Sequence, residues 1–212
     1  MDVSIGVKGH SVSTSGLVRV PHPELRLQVS DGTLLGPAQD LLQFVVKYIL
    51  DQGARISPEQ TLLYGYWTTK FRRECGGALE VWEHNADATE FVPGASRALT
   101  YWRDQHLLCE KYGADFNPPK PTMLAAVSDG VLEGDAVEAV RYPSPEHMSG
   151  WWLTTNRYNG NIKSLKCLHL LHVTAARSDL VRYLALPDGY RFNLVGGERV
   201  WFDEAVAREP AN

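Results

Sequence analysis

No apolar run in this chain approaches the roughly 18 residues needed to cross a bilayer as a helix; the longest, Phe44 to Leu50, is interrupted by Lys47. The opening Met-Asp-Val-Ser-Ile-Gly has neither a basic stretch nor an apolar core. No secretory signal or membrane partner is therefore expected, and the expected location is the cytoplasm. Basic residues are not in excess: 21 Lys and Arg stand against 25 Asp and Glu, a net charge of −4. Nucleic-acid binders need a basic face for the phosphates, so that partner class is not expected either. Cysteine is scarce, with only Cys75, Cys109 and Cys167 and no CxxC spacing. A disulfide framework is not expected on that pattern, the cysteines show no zinc spacing, and free, buried thiols are expected. GxSxG, HExxH and GxGxxG are all absent. Gly76-Gly77 and Gly196-Gly197 are not followed by the Lys-Ser or Lys-Thr of a phosphate loop. The chain is accordingly not expected to be an enzyme or to hold a cofactor.

The 212 residues, 44% hydrophobic and 22% charged, are ordinary globular material with enough length for a substantial core. Residues 1–20, rich in Ser, Gly and Val, specify little. A strand is expected at Glu24 to Val29, ending at Ser30-Asp31-Gly32. A helix follows from Pro37 to Gly53. Its polar stripe of Asp40, Gln43, Lys47 and Asp51 is narrow, which predicts a largely buried helix across a sheet. Thr61 to Phe71 and Ala78 to Glu83 read as strands joined by a loop. A second helix from Ala95 to Tyr112 has Ala95, Leu99, Trp102, His106 and Cys109 on a core-facing line. Phe116-Asn117-Pro118-Pro119-Lys120-Pro121 is a linker and the expected domain boundary. Beyond it come strands at Met123 to Ser128, Ala136 to Tyr142 and Gly150 to Thr155, then a helix from Ser164 to Leu184, broken near Ser178-Asp179. Strands at Tyr190 to Val195 and Arg199 to Phe202 close the pattern, before a solvated terminal helix at Asp203-Glu204. The fold class is α+β: two small domains, 1–116 and 122–212, each a mostly antiparallel sheet packed by helices.

Three constellations could carry function. Asp129, Glu133, Asp135, Glu138 and Glu146 make an acidic segment opposed only by Arg141, whereas His147 to Ser178 has Arg157, Lys163, Lys166 and Arg177 and no acid. These are two solvated faces, or else an acidic lip for a basic partner. Trp151, Trp152 and Tyr158 lie within eight residues. If the two tryptophans share a strand they point to opposite faces, one into the core and one outward, towards a partner or a small ligand. His169 and His172, beside Cys167, have the i, i+3 spacing of a shared metal but lack a nearby acid, so core or interface histidines fit better. His106 and Cys109 share a helix face that reads as core, not as a nucleophile pair.

The second part carries a resemblance. Ala126-Val127-Ser128-Asp129-Gly130-Val131-Leu132-Glu133-Gly134 is followed by His147-Met148-Ser149-Gly150-Trp151-Trp152-Leu153-Thr154-Thr155. Then come Tyr158-Asn159-Gly160-Asn161-Ile162-Lys163-Ser164-Leu165 and Tyr183-Leu184-Ala185-Leu186-Pro187-Asp188-Gly189-Tyr190-Arg191-Phe192. Val-Ser-Asp, Ser-Gly-Trp and Leu-Pro-x-Gly blocks in this order, over residues 122–205, resemble a bacterial family of polymorphic-toxin immunity proteins. The resemblance implies a protein made beside a secreted antibacterial toxin, often a type VI secretion effector, that binds and blocks it in the cytoplasm during bacterial competition. It brings no catalytic residues. If the toxin is a nuclease, Asp129, Glu133, Asp135 and Glu138 would mimic phosphate in its basic cleft, with Trp152 and Tyr158 as further partner contacts. Two readings compete: a small-ligand module using Trp151, Trp152 and Tyr158, and a metal-dependent hydrolase using His169 and His172.

Overall fold

A computed structural model describes residues 3–209 and divides the chain into two compact units, 1–103 and 104–212. The fold is α+β, as expected. The division falls within a helix, and the proline-rich segment lies inside the second unit. Among the described residues no helix is long and apolar enough to cross a membrane.

The first unit begins with β1 (Ser4–Lys8) and β2 (Ser11–Ser15), an antiparallel hairpin where little structure was expected. Val12 and Thr14 alternate inward from β2, and Leu25 and Leu27 do the same from β3 (Leu25–Gln28). Helix α1 (Leu35–Gln52) buries Ala38, Leu41, Leu42, Val45, Val46 and Ile49, and Gly53 ends it in the left-handed conformation. Phe44, Tyr48 and Leu50 stay exposed, so α1 has one wet face and is not the largely buried helix expected. The single strand expected at Thr61 to Phe71 is a hairpin of β4 (Thr61–Tyr64) and β5 (Trp67–Arg73), reversed at Gly65-Tyr66. The aromatic run Tyr64, Tyr66 and Trp67, interrupted by Gly65 alone, hid that two-residue turn. Strand β6 (Leu79–His84) pairs with β5 and, in parallel, with β3; the short β7 (Phe91–Pro93) adds to its end. Helix α2 (Ser96–Lys111) follows. Its first turn is held by Glu83, whose carboxylate accepts the Arg97 and Ala98 backbone N–H groups at 2.9 and 2.7 Å. Those bonds favour the charged carboxylate, but burial outweighs them and raises its pKa above the usual value. The buried line of α2 is Ala98, Leu99, Tyr101, Gln105, Leu108 and Cys109, turned slightly from the expected one, which leaves Trp102 and His106 half-buried.

The second unit is built on a six-stranded sheet in the order β11-β8-β10-β9-β12-β13. Its strands are β8 (Leu124–Val127), β9 (Glu138–Arg141), β10 (Met148–Thr154), β11 (Lys166–His169), β12 (Tyr190–Asn193) and β13 (Arg199–Phe202). Only β8 and β10 pair in parallel. Ala125, Val127, Ala139, Trp151, Leu153 and Phe192 are buried together with Leu170 and Val173 of helix α3 (Leu170–Ala176) and with Leu180, Tyr183, Leu184 and Leu186 beyond it. The long helix expected at Ser164 to Leu184 is thus overturned in its first part. Lys166 to His169 instead pair antiparallel with β8, satisfying a strand edge that a helix would have left unpaired. Asp203 caps the terminal α4 (Glu204–Ala207), accepting from the Ala205 and Val206 N–H groups.

Arg141 organises this core from within. Its guanidinium donates to the carbonyl oxygens of Ser149, Asn117, Leu184 and Leu186 at 3.0, 2.7, 3.2 and 2.6 Å, and its Nε lies 3.2 Å from Asp188. Burial pulls its pKa down to about 10, which leaves it charged at neutral pH. Gly189, in the left-handed conformation with the Phe202 ring and Ala207 where a side chain would stand, donates to the Arg141 carbonyl at 2.8 Å.

Arg141→Leu removes the donor to four carbonyls, of which Leu184 keeps the Trp151 indole N–H, and is expected to cost about 3–5 kcal/mol in urea unfolding, against under about 1 kcal/mol for Asp188→Asn at the exposed end of the pair. Burial also lowers the pKa values of His84 and His106. Both rings therefore stabilise the fold fully above the ordinary histidine value, and the contribution is lost as pH falls through their folded values. NMR titration should place both below an exposed histidine, and His84→Gln should flatten the decline in urea midpoint between about pH 7.5 and 5.5.

Candidate functional site

Strand alternation sorts the second sheet into two faces. Trp151 is fully buried, with its indole N–H donating to the Leu184 carbonyl at 3.1 Å; its neighbour Trp152 points the other way and is half-buried. One core and one outward tryptophan is what strand geometry requires. In register with Trp152 lie Ala126, Val140 and, through Val140, Arg191. The chain kinks at Gly150, where glycine is obligatory: φ is positive and the Tyr142 carbonyl oxygen occupies the place of a side chain. That kink sets Tyr142 against Trp152, ring centroids 5.6 Å apart and planes at 69°. With Tyr158, Pro143, Met148 and Ile162 they enclose a groove of about 560 Å³, whose one charged lining residue is Glu209.

The acidic residues are placed differently. Asp129 pairs with Lys166 at 2.8 Å, and Asp135 grips Arg157 at 2.7 Å. Glu133 accepts the Gly130 N–H at 2.7 Å, and Glu138 accepts from the Asn193 amide at 2.6 Å. Arg177 donates to the carbonyls of Val131 and Asp135, both at 2.9 Å. The Lys166 ammonium holds the Asp129 carboxyl below its usual range. The acidic and basic blocks of the sequence are therefore folded against each other. Glu138, which is opposite Thr154, shares the outward face with Trp152 and is exposed. Of the six residues singled out for partner binding, Trp152 and Tyr158 meet in the groove. Asp129, Glu133 and Asp135 belong to the turn beside Thr155 and Arg157.

The remaining candidates find structural partners. His169 has Nδ1 2.7 Å from the Thr122 carbonyl oxygen and its ring 6.0 Å from that of His172; both are exposed, so neither is a core histidine. Among the described residues no three His, Cys, Asp or Glu side chains are grouped to hold a metal. Cys109 is buried, which pushes its thiol up and away from a reactive thiolate, while the His106 ring stacks on Phe116 at 3.7 Å. Cys75 and Cys167 are exposed, contrary to the expectation of buried thiols, because they lie in a turn and on an edge strand.

Both tryptophans and every groove residue named above except Glu209 lie within the matched part of the chain. Residues 104–203 match the family model of the Imm33-like domain. This is an immunity-protein-like family, and the Imm33-like segment contains the whole six-stranded sheet. No curated protein and no solved structure matches the chain. Sequence reasoning missed Tyr142 and Glu209 as groove residues. The signal for Tyr142 was its two-residue step from Val140 on the face opposite Arg141.

Trp151→Ala is expected to cost about 3–5 kcal/mol of unfolding free energy and Trp152→Ala about 1 kcal/mol or less, read from urea denaturation. Equal losses would mean that Trp152 is a core residue and that its face is not a surface.

Proposed function

We propose that this chain is an immunity protein: it binds a cognate antibacterial toxin, an effector of the type VI secretion kind, in the cytoplasm and blocks it by covering its active site. The Imm33-like match over residues 104–203 carries this reading. The outward face of the second sheet supports it, because Trp152, Tyr142 and Tyr158 offer rigid aromatic surface of the type that anchors protein interfaces. The action is stoichiometric and needs neither cofactor nor catalytic residue.

Within this reading the contact centres on Trp152 and Tyr158, with Glu138 beside them on the same face. Asp129 and Asp135 already neutralise Lys166 and Arg157, so they serve the local turn more than they present free charge. Phosphate mimicry towards a nuclease would then fall mainly to Glu133 and Glu138, which face no cation in an ion pair among the described residues.

Co-expression with the products of adjacent genes, using inactivated toxin candidates, should yield a tight one-to-one complex, and this chain should restore growth to cells making the active toxin. Trp152→Asp should weaken the complex about 30-fold or more with little change in unfolding free energy. No complex and no protection with any neighbouring product would remove the immunity reading.

A further inference from the structure

The shape and charge of the groove narrow what it can receive. Tyr142 and Trp152 meet at 69°, giving two adjoining aromatic walls, and Tyr158 lines the same space. Glu209 is its one charged lining residue, and among the described residues Glu209 has no ion-pair partner. The nearby cation, Arg191, is engaged by Asp203 at 2.8 Å. Around Tyr142 the charges that act are Glu209, Asp203 and Arg191, two negative and one positive, leaving one negative charge. The Tyr142 hydroxyl is pushed up first by burial and then by Glu209, so the field of that carboxylate reaches the aromatic wall.

We propose that the groove is a receptor for one cationic side chain, an arginine or a lysine, presented by the partner protein. The occupant's being a protein rests on the immunity reading; the preference for a cation rests on the groove alone. Aromatic faces attract a cation, and more strongly where water is excluded. A purely apolar occupant would cover Glu209 and strip its water without supplying a partner, which is costly. An acidic occupant would be repelled. The volume, about 560 Å³, exceeds one side chain, so the flanking backbone of an extended segment enters with it.

The test uses the full chain and no toxin. The Trp152 indole signal is followed by NMR during titration with blocked Gly-Arg-Gly, Gly-Lys-Gly, Gly-citrulline-Gly and Gly-Leu-Gly peptides, and with tetramethylammonium. The arginine and lysine peptides should shift the signal at millimolar concentrations, with the neutral citrulline peptide about ten-fold weaker. Glu209→Gln should weaken the arginine peptide about three-fold or more and leave the leucine peptide unchanged. A leucine peptide that binds as well as the arginine one, or arginine binding indifferent to Glu209→Gln, would overturn the cation preference. Tetramethylammonium binding far tighter than either basic peptide would make this a small-molecule site and overturn the protein occupant. Because toxin protection is measured separately, either idea can fail while the other stands.

Discussion

The second unit depends on a charge placed where charges are costly. Moving a guanidinium from water into a protein interior costs several kcal/mol, and Arg141 is tolerated there because four carbonyl oxygens and Asp188 surround it. Those carbonyls belong to the segment after α2, to β10 and to the irregular chain before β12. The Leu184 carbonyl also accepts the Trp151 indole N–H, so the hub is shared between the two side chains. One planar, five-donor side chain supplies what the strands cannot, and a lysine would not span the same acceptors. The core of this unit is thus fastened by a polar hub as well as by its buried apolar surface.

The outward face follows from that fastening. Successive strand residues point to opposite sides, so anchoring Arg141 inward commits Val140 and Tyr142 outward. Trp151, tied to Leu184 through its indole N–H, commits Trp152 in the same way. The groove aromatics are therefore the alternates of the two most constrained inward residues. Gly150 adds the kink that brings the two strands' outward rings into contact. Rings held this way lose little freedom on binding, which is the main advantage of a preorganised surface.

What the sequence made legible, and what it concealed, separates along local and non-local physics. Helices α1 and α2, with their Pro, Gly and periodic signals, were readable, as were β8, β10 and the opposed tryptophans. Lys166–His169 was not, because its strand character comes from the unpaired edge of β8, which lies far away in sequence. The β4–β5 reversal left only Gly65 as a trace inside an aromatic run. Arg141 was visible as the lone base in an acidic segment, but its burial follows from the inward register it shares with Ala139, and that register needed the neighbouring strands. Tyr142 and Glu209 were hidden for the same reason, since they meet only after the sheet has formed.

Charge illustrates the gap most directly. The sequence separates an acidic block from a basic one, which suggests two surfaces of opposite sign. The fold lays Lys166 on Asp129 and Arg157 on Asp135, so these charges cancel locally while Glu133 and Glu138 keep theirs. Exposed pairs of this kind add little stability, but they remove field from the surface. In the proposed groove a single carboxylate stands beside aromatic walls with the neighbouring arginine already engaged, whereas Asp129 and Asp135 have cations of their own. Counting charges along the chain locates where they are made; only the register of the strands decides where they act.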